Sequence, residues 1–188
     1  FRQAVRMDPY DVVSNIGLAC ALDVSGSTQE AFAHLAVCRE EAPDEPRVLF
    51  ALGMCAERLG RYQEAAQTYS ESLDVCPDLR NAHERLAAIA LKQGDVSDAI
   101  SHYEYLNWCD PGDVASALSL ANLYVRARRF KDAARKFEFV VSLEPDHWEV
   151  YDDLAAMYQQ SGDFARAIDV LAELSQEQPD KADYHVRL

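Results

Sequence analysis

Six of the seven prolines, Pro9, Pro43, Pro77, Pro111, Pro145 and Pro179, follow one another at intervals of 34 residues. Alanine recurs at the same interval at Ala31, Ala65, Ala99, Ala133 and Ala167, and glycine occupies Gly26, Gly60, Gly94 and Gly162 in the same register. A fixed period of this length constrains the chain more than its composition does. Each copy is one supersecondary unit that needs its neighbours to cover its apolar face, so the expected architecture is a stacked array. The unit is clearest from Trp148 to Lys181, where two amphipathic stretches flank a polar turn at Ser161-Gly162-Asp163 and a second turn follows at Pro179-Asp180.

This register divides the chain into repeats at 12–45, 46–79, 80–113, 114–147 and 148–181, all in one domain. Residues 1–11 end a partial repeat and 182–188 begin a further helix. Helices are predicted at 12–24 and 28–42, 46–59 and 62–75, 80–93 and 96–109, 114–127 and 130–143, and 148–161 and 164–177. The prolines stop the second helix of each repeat, because proline disfavours helix in the residue before it. Asp44, Asp78, Asp146 and Asp180 each follow a period proline and are expected to cap the next helix. Asp146-x-x-Glu149 has the spacing of a capping box.

Leu18, Leu52, Leu86, Leu120 and Leu154 repeat on the first helices, and Leu35, Tyr69, Tyr103, Phe137 and Leu171 on the second. These form the helical-period stripe of a core face, and the period alanines are small because two helices approach closely there.

These residues resemble the tetratricopeptide repeat family over essentially the whole chain. The family's recurrent positions read Leu154, Ala155, Tyr158, Ala167, Leu171, Leu174 and Pro179 in the last repeat, and Leu52, Gly53, Ala65, Tyr69 and Pro77 in the second. Lys92-Gln93-Gly94-Asp95 is similar to the family's favoured inter-helix turn. Two departures point to local repacking. A position usually held by alanine reads Cys38, Ser72, Leu106, Val140 and Leu174, and Arg128 replaces the turn glycine of the fourth repeat. The resemblance implies an all-α, right-handed α-solenoid of stacked antiparallel helix pairs that binds protein partners as a scaffold or adaptor.

In that family the first helices line a concave surface. Here it would present Val13, Ile16, Cys20, Asp23 and Val24, then Arg47, Phe50, Met54, Glu57 and Arg58, followed by Asn81, Glu84, Ala88, Leu91 and Lys92. The last two repeats would add Ala115, Leu118, Asn122, Val125 and Arg126, then Glu149, Asp152, Ala156, Gln159 and Gln160. The surface starts apolar and ends polar, and clustered exposed apolar residues mark binding surfaces. The candidate partner-binding residues are Val13, Ile16, Arg47, Phe50, Met54, Arg58, Lys92, Leu118, Asn122 and Arg126. Arg58, Lys92 and Arg126 stand 34 apart with no acid three or four residues before them, so a basic ladder receiving carboxylates from a partner segment is one expectation. Pairing with acids of neighbouring repeats, such as Glu57, is the other. The carboxylate clamp by which some of these arrays hold chaperone tails is absent, since its lysine position reads Ile16, Phe50, Glu84, Leu118 and Asp152.

The net charge of −14 disfavours nucleic acid and anionic membrane, both of which need a cationic footprint. Most of that acid lies off the concave surface and reads as a solvated face. Five cysteines, Cys20, Cys38, Cys55, Cys76 and Cys109, form neither a CxxC pair nor a disulfide framework and read as small buried hydrophobes in a reducing, cytoplasmic setting. No apolar run is long enough to span a membrane. No catalytic constellation or metal or cofactor motif occurs, and His34, His83, His102, His147 and His185 are spread over different repeats. The expected partner is therefore a protein or peptide with acidic and apolar residues, with no cofactor. Two other readings stand beside it: a regulatory or substrate-presenting segment of a larger enzyme such as a glycosyltransferase, and self-association through exposed end helices.

Overall fold

A computed structural model describes residues 1–8 and 11–177. Pro9, Pro179, Asp180, His185 and the expected helix start at 182–188 lie outside the described residues. Among the described residues there are eleven helices and no strand. The chain forms two compact units, Phe1–Gln93 and Gly94–Leu188. Their boundary falls at the inter-helix turn of the 80–113 repeat.

The first unit holds α1 (Arg2–Met7), α2 (Val12–Val24), α3 (Thr28–Glu41), α4 (Pro46–Arg58), α5 (Tyr62–Val75) and α6 (Arg80–Gln93). Within it α2 packs on α3, α3 on α4, α4 on α5 and α5 on α6. The second unit holds α7 (Val96–Cys109), α8 (Val114–Arg126), α9 (Phe130–Leu143), α10 (Trp148–Ser161) and α11 (Phe164–Glu177), again packed each on the next. No helix is long and apolar enough to cross a membrane among the described residues.

The period alanines Ala31, Ala65, Ala99, Ala133 and Ala167 are all buried, as are Leu35, Tyr69, Phe137 and Leu171 opposite them. Tyr103 and Leu18 are only half-buried. In the first unit Gly53 makes the room that Tyr69 fills. A Cβ at Gly53 would stand 2.6 Å from the tyrosine ring, closer than packed carbons approach. The second unit repeats a clasp between successive helices. The Tyr124 hydroxyl donates to Glu104 at 2.6 Å, and the Tyr158 hydroxyl donates to Glu138. Arg129 and Arg166 cover the two rings.

Two local expectations are corrected. Asp44, Asp78 and Asp146 do not cap helices, because each lies two residues before the helix start. Pro43-Asp44 and Pro145-Asp146 instead form β-turns, closed by Glu45 N–H to Ala42 O at 3.3 Å and His147 N–H to Glu144 O at 3.1 Å. The cap therefore falls one residue later. Asp11 accepts the Ser14 N–H at 3.0 Å, Glu45 the Arg47 N–H at 3.4 Å and Asp113 the Ala115 N–H at 3.1 Å. The box expected at Asp146 is not formed, because α10 starts after His147, which makes no side-chain cap. Arg128 does not reshape its turn either. Its φ of 57° keeps the left-handed conformation that Gly60, Gly94 and Gly162 hold at 75°, 84° and 82°.

Candidate functional site in the first unit

The amphipathic register of α2 and α4 turns one face of each helix away from its second-helix partner, and these faces border a groove of about 400 Å³. Val13 and Ile16 of α2 and Phe50 and Met54 of α4 supply its apolar walls. Buried Ala19, Leu35, Ala51 and Cys55 form its floor. Arg47 stands at one edge, its guanidinium 2.7 Å from Glu45, and Leu79 and Asn81 close the side towards α6. Phe50 is held in place by Tyr69, the two ring centroids 5.4 Å apart. Val13 remains 60 % exposed at the mouth. Five of the candidate residues, Val13, Ile16, Arg47, Phe50 and Met54, thus share one concavity.

The only carboxylate among the groove's lining residues is satisfied within the unit. Asp23 accepts a hydrogen bond from the Thr28 hydroxyl at 2.6 Å and an ion pair from Arg58 at 2.9 Å. Arg58 and Lys92 line a neighbouring cavity of about 420 Å³ together with Met54, Glu57 and Arg85. There Glu57 lies 3.5 Å from Lys92 and 3.9 Å from Arg85, and its carboxylate accepts the Tyr69 hydroxyl at 3.1 Å. Tyr69 is buried, and burial together with the Glu57 charge pushes its phenol far above its ordinary range.

The remaining candidates belong to α8 in the second unit, where Leu118 is half-buried and Asn122 and Arg126 are exposed or partly so. Arg126 makes no ion pair among the described residues. The separation of paired residues explains the contrast. Asp23–Arg58 and Glu57–Lys92 are both 35 apart, and the residue 35 before Arg126 is Leu91. An acid followed 35 residues later by a base is the signal that a search within single helices passes over. Arg85 is the basic cavity residue that the candidate set omits, and Glu57 is its acidic one.

The cysteines also depart from expectation. Only Cys55 is buried, while Cys20, on the groove-facing side of α2, and Cys109, at the end of α7, are exposed. A groove-facing position is not a core position, and a helix end leaves its last side chains to solvent. Among the described residues no three His, Cys, Asp or Glu side chains gather to hold a metal ion.

The tetratricopeptide repeat family matches residues 46–79 and 125–187. The chain is 31 % identical over 155 residues to ER membrane protein complex subunit 2-A of Xenopus laevis, covering 81 % of this chain and 50 % of that protein. It is 30 % identical over 113 residues to the RNA polymerase-associated protein CTR9 of Caenorhabditis elegans, covering 55 % of this chain and 9 % of that one. It therefore spans half or less of each of these relatives. The crystal structure of YrrB, described as a tetratricopeptide repeat protein with an unusual peptide-binding site, superposes with a TM-score of 0.74 at 16 % identity, covering 100 % of this chain and 97 % of that one. That likeness shows a common fold. The chain belongs to the tetratricopeptide repeat family and is a protein-interaction repeat scaffold of the all-α solenoid class.

Proposed function

We propose that this chain holds a protein partner by laying a segment of it in the first-unit groove. The carrying observation is the concavity itself, in which Val13, Ile16, Phe50 and Met54 leave apolar surface open to water. Exposed apolar surface gathered into one concavity is costly unless something covers it. Arg47 and Asn81 at the rim supply polar contacts that would set the segment's direction. The register of five repeats at 12–45, 46–79, 80–113, 114–147 and 148–181 is part of the same proposal, and within the second unit taken by itself Leu118, Asn122 and Arg126 of α8 are proposed as partner contacts. YrrB, with its peptide-binding site, supports the mode, and the Xenopus relative, a complex subunit, favours a partner that belongs to a stable assembly.

Site-specific crosslinking tests the proposal. A photoreactive benzophenone residue is placed at Val13 in the groove or at Val75, exposed at the end of α5, and the protein is irradiated in lysate of its source. A protein crosslinked from Val13 but not from Val75, and lost when Ile16→Glu is added, supports the groove. The same crosslinks from both positions would move binding to another surface.

A further inference from the structure

The cavity next to the groove carries an unbalanced charge. Arg58 is matched by Asp23 at 2.9 Å, which leaves Glu57 facing both Arg85 and Lys92. The cluster therefore holds one positive charge more than it neutralises. The ion pairs of Glu57 are also loose. The separations of 3.9 Å and 3.5 Å exceed the roughly 2.7–2.9 Å of a direct charge-assisted hydrogen bond. Glu57 instead accepts its hydrogen bond from the Tyr69 hydroxyl. Arg85 and Lys92 are each about half exposed, so donors on both still face the cavity at modest desolvation cost. Lys92 is held in place by the Tyr62 ring, 4.5 Å from its centroid. Met54 lines the groove and this cavity alike.

From this juxtaposition we infer that Arg85 and Lys92 form a subsite for one carboxylate, the side chain of an Asp or Glu in the same protein segment whose apolar residues fill the groove beside Met54. The inference rests on the groove reading above and adds the chemistry of its occupant. A single carboxylate cancels the one surplus charge, whereas a phosphate dianion would leave the site negative. Arg85 is the new residue, since its planar fork offers paired donors to a carboxylate. Arg58 is largely committed to Asp23 and contributes less.

Selection from a displayed library of random dodecapeptides against the whole chain tests this. The expected winners carry two or more apolar residues close to an Asp or Glu. A synthetic winner is then compared with its Asp→Asn or Glu→Gln counterpart by fluorescence anisotropy, and the loss of the acid is expected to weaken binding about tenfold. The Arg85→Gln/Lys92→Gln chain, checked for folding by circular dichroism, is expected to bind both peptides equally. Because the peptide comparison on the unaltered chain needs no variant, a misfolded double variant leaves the test intact. Winners that lose binding on Val13→Lys but ignore the acid would overturn the carboxylate subsite while keeping the groove. Winners indifferent to Val13→Lys, or a library yielding none, would overturn both. A phosphoserine peptide that binds about tenfold tighter than its Glu form would reassign the subsite to phosphate and overturn the carboxylate assignment.

Discussion

The guanidinium of Arg58 stands 2.9 Å from the carboxylate of Asp23, and the side chain of Asp23 is only 10 % exposed. Lys92 and Glu57 repeat the relationship one repeat on, at 3.5 Å. Two bases that sequence patterning sets in a ladder towards a partner thus already hold the acids of the preceding first helix. Reversing Arg58 to test binding would also bring a carboxylate against Asp23 and disturb the fold.

Neutral substitution separates the two effects. Arg58→Met leaves a nearly buried carboxylate with only the Thr28 hydroxyl, and is expected to cost about 1–2 kcal/mol in urea denaturation. Lys92→Met breaks a looser and more exposed pair and should cost less than about 1 kcal/mol. Equal losses would mean that the burial of Asp23 does not set the strength of its pair.

The Gly53–Tyr69 contact gives a second prediction. A methyl group at Gly53 would meet Tyr69 carbons at 2.6 and 2.7 Å, and Tyr69 is wholly buried and cannot swing aside. Gly53→Ala is expected to destabilise by about 1–2 kcal/mol even after the gain in helix propensity. A Cβ at Gly17 would press on the Phe1 ring, yet Phe1 is 65 % exposed and free to swing aside. Gly17→Ala should therefore be neutral or stabilising by up to about 1 kcal/mol. Thermal melts of the two variants decide it, and a matching loss in both would show that Phe1 is as fixed as Tyr69.

The inter-helix turns predict opposite signs for opposite exchanges. Gly94 holds φ at +84° with nothing within 4 Å of the place a Cβ would take, so Gly94→Ala meets only the backbone strain of that conformation and should cost about 1 kcal/mol. Arg128 bears that left-handed strain already. Arg128→Gly should relieve it and stabilise by about 0.5 kcal/mol, the gain being reduced by the floppier unfolded chain. A lower melting temperature for Arg128→Gly would mean that the arginine side chain contributes more than its backbone costs.

Much of this architecture was legible because a 34-residue period repeats the same signals several times. The helix limits from α2 to α11 fall within a residue of those expected, since a misread signal in one copy is corrected by the others. The apolar half of the groove was legible for the same reason, because Val13, Ile16, Phe50 and Met54 occupy equivalent faces of α2 and α4. What sequence patterning missed, or left as one of two readings, is what depends on one extra residue or on two helices at once. Asp44 and Asp146 looked like caps because they follow a proline and precede a helix, but the proline takes a turn position and pushes the cap one residue on. The Asp23–Arg58 and Glu57–Lys92 pairs join first helices of successive repeats, where a search three or four residues back along one helix finds nothing.

The cysteines give the last prediction, which reads both burial and groove occupancy. Burial, reinforced by the Asp23 charge, pushes the Cys55 thiol up to about 11. At pH 8, iodoacetamide should alkylate exposed Cys20 and Cys109 rapidly and reach Cys55 only when the chain opens. The unfolded thiol ionises near pH ~8.5, so only the unfolded state gains from ionisation between there and about 11. Stability from this group is intact below about pH 8.5 and is lost as pH rises towards 11, a slope that Cys55→Ala should remove from alkaline denaturation curves. Cys20 borders the groove and Cys109 does not. A segment seated between Val13 and Met54 should therefore slow alkylation of Cys20 several-fold while leaving Cys109 unchanged, as followed by mass spectrometry of the labelled peptides. Protection of both thiols, or of neither, by a peptide that binds tightly would place that peptide outside the groove.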